Sequence, residues 1–134
     1  MKRKIFVDTS FFKSIIDPDD DFHQNADEIS QKLGKEVLVV SNFILDESYT
    51  LLRVRCGLDM VKKLREYLFS GNQEIKIVRV QVQDEAKAWE WFLNPWKGLS
   101  YTDCTSFAVM KRLNLESVAT FDKHFSQAGF KIIN

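Results

Sequence analysis

The sequence predicts an α/β protein, a three-layer α/β/α sandwich around a mostly parallel central sheet. Three observations carry this. Short apolar runs recur without alternation at residues 5–7, 37–40 and 118–119, as in parallel strands covered on both faces. Stretches with helical start and stop signals lie between them. No repeat, low-complexity tract or linker interrupts the 134 residues, so one domain spanning 1–134 is expected. Strands and helices that alternate in this way build a parallel sheet through crossover connections.

Taken in order, Ile5-Phe6-Val7 is the first and central strand. Asp8, Thr9 and Ser10 follow it and can cap a helix from Phe11 onward. Residues 20–33 form a helix stopped by Gly34. Residues 37–40 are the second strand. Ser41 then caps a helix to about Cys56, which Gly57 separates from another ending near Phe69, closed by Gly71-Asn72. Residues 75–80 alternate more and predict a strand nearer the sheet edge. Residues 83–93 form a helix with Trp89, Phe92 and Leu93 on one stripe, ending before Pro95; core packing accounts for Trp89, while Trp91 and Trp96 are left for a subunit or partner surface. Ser100 opens a helix to about Leu113. Val118-Ala119 and Lys131-Ile132-Ile133 supply the last two strands.

Composition excludes several classes. Nineteen basic and nineteen acidic residues cancel, so no global positive field announces a nucleic-acid partner. Cys56 and Cys104 form no CxxC, which argues against a zinc site or a disulfide framework. Only Ile5-Phe6-Val7 separate the basic start from Asp8, too few for a signal peptide. No stretch approaches the roughly 18 apolar residues of a membrane span. The expectation is a soluble, cytoplasmic protein.

Four carboxylates carry the chemistry. Asp8 lies at the carboxyl end of the first strand, where helix capping and ligand binding account for it equally well. Within 42–54, Phe43, Glu47, Leu51 and Val54 share one helical face, and Asn42, Asp46 and Arg53 the other. Glu47 thus interrupts an apolar stripe, which is costly for a carboxylate that is neither paired nor metal-bound. Asp103 completes Ser100-Tyr101-Thr102-Asp103, a capping pattern that also places a carboxylate in the first turn of a helix. Asp122 stands just beyond the strand at 118–119, on the same rim as Asp8. Four acids converging on one crevice repel one another unless a cation binds. Magnesium or manganese, which take oxygen ligands, fit best. An acidic site without a phosphate-binding glycine loop or a Cys/His cluster points to metal-assisted phosphodiester hydrolysis.

The segments "IFVDTSFF", "FILDESYTLL" and "LSYTDCTSFAVMKRLNLESVATFDKHFSQAGFKII" resemble a PIN-domain ribonuclease of the VapC toxin type, over essentially the whole chain. The resemblance implies RNA hydrolysis with Mg²⁺ or Mn²⁺. It assigns metal binding to Asp8, Glu47 and Asp103, with Asp122 as the fourth acid. Thr120 becomes a hydrogen-bonding support, and Thr9 or Ser10 the small hydroxyl residue after the first Asp. It also implies a cognate antitoxin protein and a homodimer. A PIN-domain RNA-processing nuclease outside toxin systems, and a catalytically silent RNA- or protein-binding module of the same fold, remain alternatives.

Other folds with this alternation fit poorly. A receiver domain needs an aspartate after its third strand, and a haloacid-type phosphatase needs Asp-x-Asp where position 10 is Ser. Arg53, Arg55, Lys62, Lys63 and Arg65 form either a local RNA surface or an ordinary solvated face. Cys104 reads as a small core residue. His124, two residues past Asp122, is assigned to ordering its loop while Phe125 packs beneath.

Overall fold

A computed structural model describes residues 1–134. Its sheet has five strands, all parallel: β1 (Lys4–Val7), β2 (Val37–Ser41), β3 (Glu74–Val78), β4 (Ser117–Ala119) and β5 (Lys131–Ile132), in the order β3-β2-β1-β4-β5. Seven helices connect and cover them: α1 (Thr9–Ile16), α2 (His23–Lys32), α3 (Asn42–Cys56), α4 (Leu58–Phe69), α5 (Val82–Phe92), α6 (Tyr101–Arg112) and α7 (His124–Gln127). The unalternated runs are the inner strands, as expected. Ile5, Phe6 and Val7 are buried, as are all five residues of β2, whereas β3 at the edge is half exposed.

Phe6 pairs with Val39 on one side and Val118 on the other, which fixes β1 at the centre. The chain runs outward from β1 through β2 to β3, then returns to add β4 and β5 on the opposite flank. The direction of winding therefore reverses between β1 and β4. In open parallel sheets a crevice forms at this point, outside the carboxyl ends of the strands. Asp8 and Asp122 follow those two ends.

The core is aromatic: Phe107 meets Phe125 edge-on at 5.0 Å and stacks on Phe130 at 5.9 Å. The helix α6 is buried along Asp103–Met110 without a break, so it is a central helix rather than a surface one. Its capping box pairs Ser100 Oγ with the Asp103 amide at 3.0 Å and Asp103 Oδ2 with the Ser100 amide at 3.2 Å.

Two expected helix faces are wrong by about one residue. On α3 the buried positions are Ile44, Leu45, Ser48 and Leu52, while Val54 is 78% exposed. On α5 the buried positions are Asp84 and Ala88, and Trp89 and Leu93 face solvent. Trp91 and Trp96, assigned to a surface, instead pack against the core, with their rings 6.1 Å apart and Trp91 5.2 Å from Phe107. The cause is the same in both helices. The inward stripe includes a polar residue, Ser48 or Asp84, so following apolar side chains alone selects the adjacent stripe.

Candidate functional site

Asp8 caps α1. Its carbonyl accepts from the Phe11 and Phe12 amides, and its own amide donates to Ala119 of β4 at 3.1 Å. These bonds tie the end of β1 to the end of β4 and turn the Asp8 side chain into the crevice. Oδ2 accepts from the hydroxyls of Ser10 and Thr120, each at 2.8 Å. Each hydroxyl has one proton, and the same two oxygens accept the amides of Phe121 and Asp122 at 2.9 Å. Ser10 and Thr120 thus clamp one carboxylate oxygen of Asp8 and hold the loop that carries Asp122. Oδ1 has no such partner, and Asp8 lines the cleft.

Of the two hydroxyls after Asp8, Ser10 is the one that touches it. Thr9 bonds Ser48 at 3.2 Å and packs α1 against α3. That contact also explains the polar residue in the buried stripe of α3. The neighbouring helical position, Glu47, is consequently half-buried and lines the same cleft, whereas Asp46 is exposed and does not. Glu47, the expected choice over Asp46, is thus the one in the cleft, although the stripe used to reach it is not the buried one. The cleft, about 400 Å³, is lined by Asp8, Glu47, Asp103 and Asp122 together with Ser10 and Ser100. Asp103 enters from the first turn of α6, so all four expected acids meet here.

The electrostatics bear the mark of crowded like charge. Asp103 is pushed up to about 7, first by burial and then by the charges of Asp8 and Asp122, against the lowering effect of its bonds to Ser100. Asp8 is pushed up to about 6 by burial, with Asp122 and Glu47 adding to the rise and the Ser10 and Thr120 hydroxyls opposing it. One ammonium reaches the cleft wall, that of Lys13, and it is already bound by Asp20 at 2.8 Å and Asp17 at 3.3 Å. The cleft therefore contains no cation of its own to balance the four acids. Oxygen donors in excess of charge compensation make a binding place for a hard divalent metal.

His124, assigned to ordering its loop, also stands beside the acids. Its ligand atom and those of Asp103 and Asp122 lie within 4.8 Å of one another. The signal available in the sequence was its spacing. The Asp122 side chain accepts the His124 amide at 2.9 Å, an Asx turn that starts α7 and folds residue 124 back over residue 122.

A sequence model of the PIN domain matches residues 5–131. The 23S rRNA-specific endonuclease VapC20 of Mycobacterium tuberculosis is 34% identical over 127 residues, 94% of this chain and 95% of that one. The crystal structure of VapC20, described as a Sarcin-Ricin loop cleaving toxin, superposes with a TM-score of 0.83 at 33% identity, again over 94% and 95% of the two chains. FitAcB from Neisseria gonorrhoeae has a TM-score of 0.67 at 19% identity, over 97% of this chain and 96% of its own, and shares the fold. The chain belongs to the PIN-domain family, and within it to the VapC type.

Proposed function

We propose that this chain is an endoribonuclease that uses Mg²⁺ or Mn²⁺ and acts as the toxin of a toxin–antitoxin pair. The observation that carries the reading is the meeting of Asp8, Glu47, Asp103 and Asp122 in one cleft at the reversal point of the sheet. These carboxylates would hold the metal, which when bound polarises a scissile phosphate and lowers the pKa of a water. Ser10 and Thr120 orient Asp8 by occupying one of its oxygens. Asp103 is held by the capping box of a buried helix and cannot swing away. The dipole of α6 favours negative charge at this end, which suits both the carboxylate and an approaching phosphate.

RNA is the proposed substrate class, and ribosomal RNA is the first to try, because VapC20 is named for cleaving it. A cytoplasmic location follows from that substrate. No helix is long and apolar enough to cross a membrane. We also propose a homodimer and an antitoxin partner. Trp89 and Leu93 on α5, with Leu58 and Phe69 on α4, are exposed apolar side chains of the kind that such contacts bury.

Purified protein incubated with ribosomal RNA should cut it when Mg²⁺ or Mn²⁺ is present and stop when EDTA is added. Asp8→Asn should abolish cutting while retaining the fold. Cleavage that survives exhaustive chelation, or survives Asp8→Asn, would overturn the reading.

A further inference from the structure

The imidazole of His124 is fixed at one end. Its Nε2 lies 2.8 Å from the carbonyl oxygen of Lys97. A carbonyl only accepts, so Nε2 carries the proton and donates it. The other nitrogen, Nδ1, is buried, with the side chain 9% exposed, and makes no hydrogen bond. Asp122 Oδ1 is only 2.7 Å away, but off the line along which an Nδ1 proton would point, and Asp103 Oδ2 is at 3.8 Å. Nδ1 is thus shut off from water and set between two carboxylates, with no hydrogen-bonding line to either.

Such an arrangement is unfavourable unless a proton or a metal ion sits among the three groups, and the lack of an aligned hydrogen bond suits the metal better than the proton. Ligating histidines characteristically donate their second N–H to a carbonyl or carboxylate, which fixes the tautomer and the ring plane. Lys97 supplies that partner. Gly98, beside it with φ of 77°, lets the backbone turn so that the carbonyl reaches the ring.

We propose that His124 Nδ1 is a direct ligand of the metal, alongside Asp103 and Asp122. The inference rests on the metal site proposed above and adds a nitrogen to an otherwise all-oxygen donor set. Imidazole is a ligand for first-row transition metals, the series to which Mn²⁺ belongs at its weak end, whereas magnesium keeps to oxygen and water. The mixed set therefore biases the site toward Mn²⁺ over Mg²⁺. His124→Asn, which keeps a polar side chain of similar reach, should reduce that bias.

The test is pulsed electron paramagnetic resonance on the protein loaded with one equivalent of Mn²⁺, with no RNA present. Nitrogen hyperfine modulation from a bound imidazole is expected, and it should vanish in His124→Asn while Mn²⁺ still binds through the carboxylates. His23 is the other histidine, and its Nδ1 is occupied by the Ser14 carbonyl at 2.8 Å. His23→Gln should therefore leave the signal unchanged. Bound Mn²⁺ without nitrogen modulation would overturn the ligand assignment and leave the nuclease reading standing. Failure of Mn²⁺ to bind at all would overturn both. The wild-type spectrum decides the matter even if His124→Asn does not fold.

Discussion

The crowding of carboxylates predicts that the metal-free protein loses stability as pH rises, opposite to ordinary acid denaturation. A carboxyl whose pKa is higher in the fold than in the unfolded chain binds its proton more tightly when folded. Its protonation therefore supports the fold fully below about pH 4, and the support is lost as pH climbs through the folded value. Holding Asp103 at about 7 instead of 3.8 costs its ionised form about 4 kcal/mol, and Asp8 at about 6 adds about 3 kcal/mol. The two share one cleft and part of the same repulsion, so about 3 kcal/mol is a fair net loss between pH 5 and pH 8. For a chain of this length that corresponds to a fall in Tm of roughly 10 °C.

Asp103→Asn separates the cause from general effects of pH. The amide oxygen still accepts from the Ser100 amide, so the capping box survives while the charge disappears. The variant should melt higher than the parent at pH 8 in EDTA, and the gap should shrink as pH falls toward 4. Saturating Mn²⁺ should close most of that gap at pH 8, since a ligand at a hundred times its Kd adds about 2.7 kcal/mol to a protein that binds it. Calorimetry or circular dichroism melts suffice. A Tm that is flat or rising from pH 5 to pH 8 in the metal-free parent would refute the reasoning.

Glu47→Gln should lower the cleavage rate by orders of magnitude with the fold intact, whereas Asp46→Asn should stay within a few-fold; the reverse result would move the site to the other face of α3. Thr120→Val leaves Asp8 without one of its two hydroxyl donors and the Asp122 amide without its acceptor, a loss of about 1–3 kcal/mol. It should also move the pH at which half the sites bind metal upward, and an unchanged metal-binding profile would argue against the clamp. Away from the cleft, Arg112 grips the buried Asp84 with two bonds of 2.8 and 2.9 Å. Arg112→Leu should destabilise by about 3–5 kcal/mol because a buried charge is left alone, and adding Asp84→Leu should recover most of the loss in a denaturant titration.

The sheet was legible because its inner strands are unalternated apolar runs, and helix ends were legible because Ser41, Ser100, Gly57 and Gly71 mark them. Helix faces were less so. The inward stripes of α3 and α5 contain Ser48, bonded to Thr9, and Asp84, bonded to Arg112. A polar residue whose partner comes from a distant segment carries no local sign that it is buried. The same limit applies to His124. Its role depends on Lys97, 27 residues away and on a different loop, and no periodicity connects the two. Asp8, Asp103 and Asp122 could be placed for the opposite reason, since each follows a strand end or opens a helix, and parallel topology sends both kinds of position to one rim; Glu47, in the second turn of α3, has no such marker.

The central claim, that a metal-activated water rather than a ribose hydroxyl attacks the RNA, is tested most directly by the ends it leaves. Cleavage is run in heavy-oxygen water and the fragments are weighed by mass spectrometry. The account predicts one heavy oxygen incorporated at a 5′-phosphate, and a free 3′-hydroxyl on the other fragment. A 2′,3′-cyclic phosphate free of heavy oxygen, opposite a 5′-hydroxyl, would mean that the neighbouring hydroxyl did the work and would contradict the account.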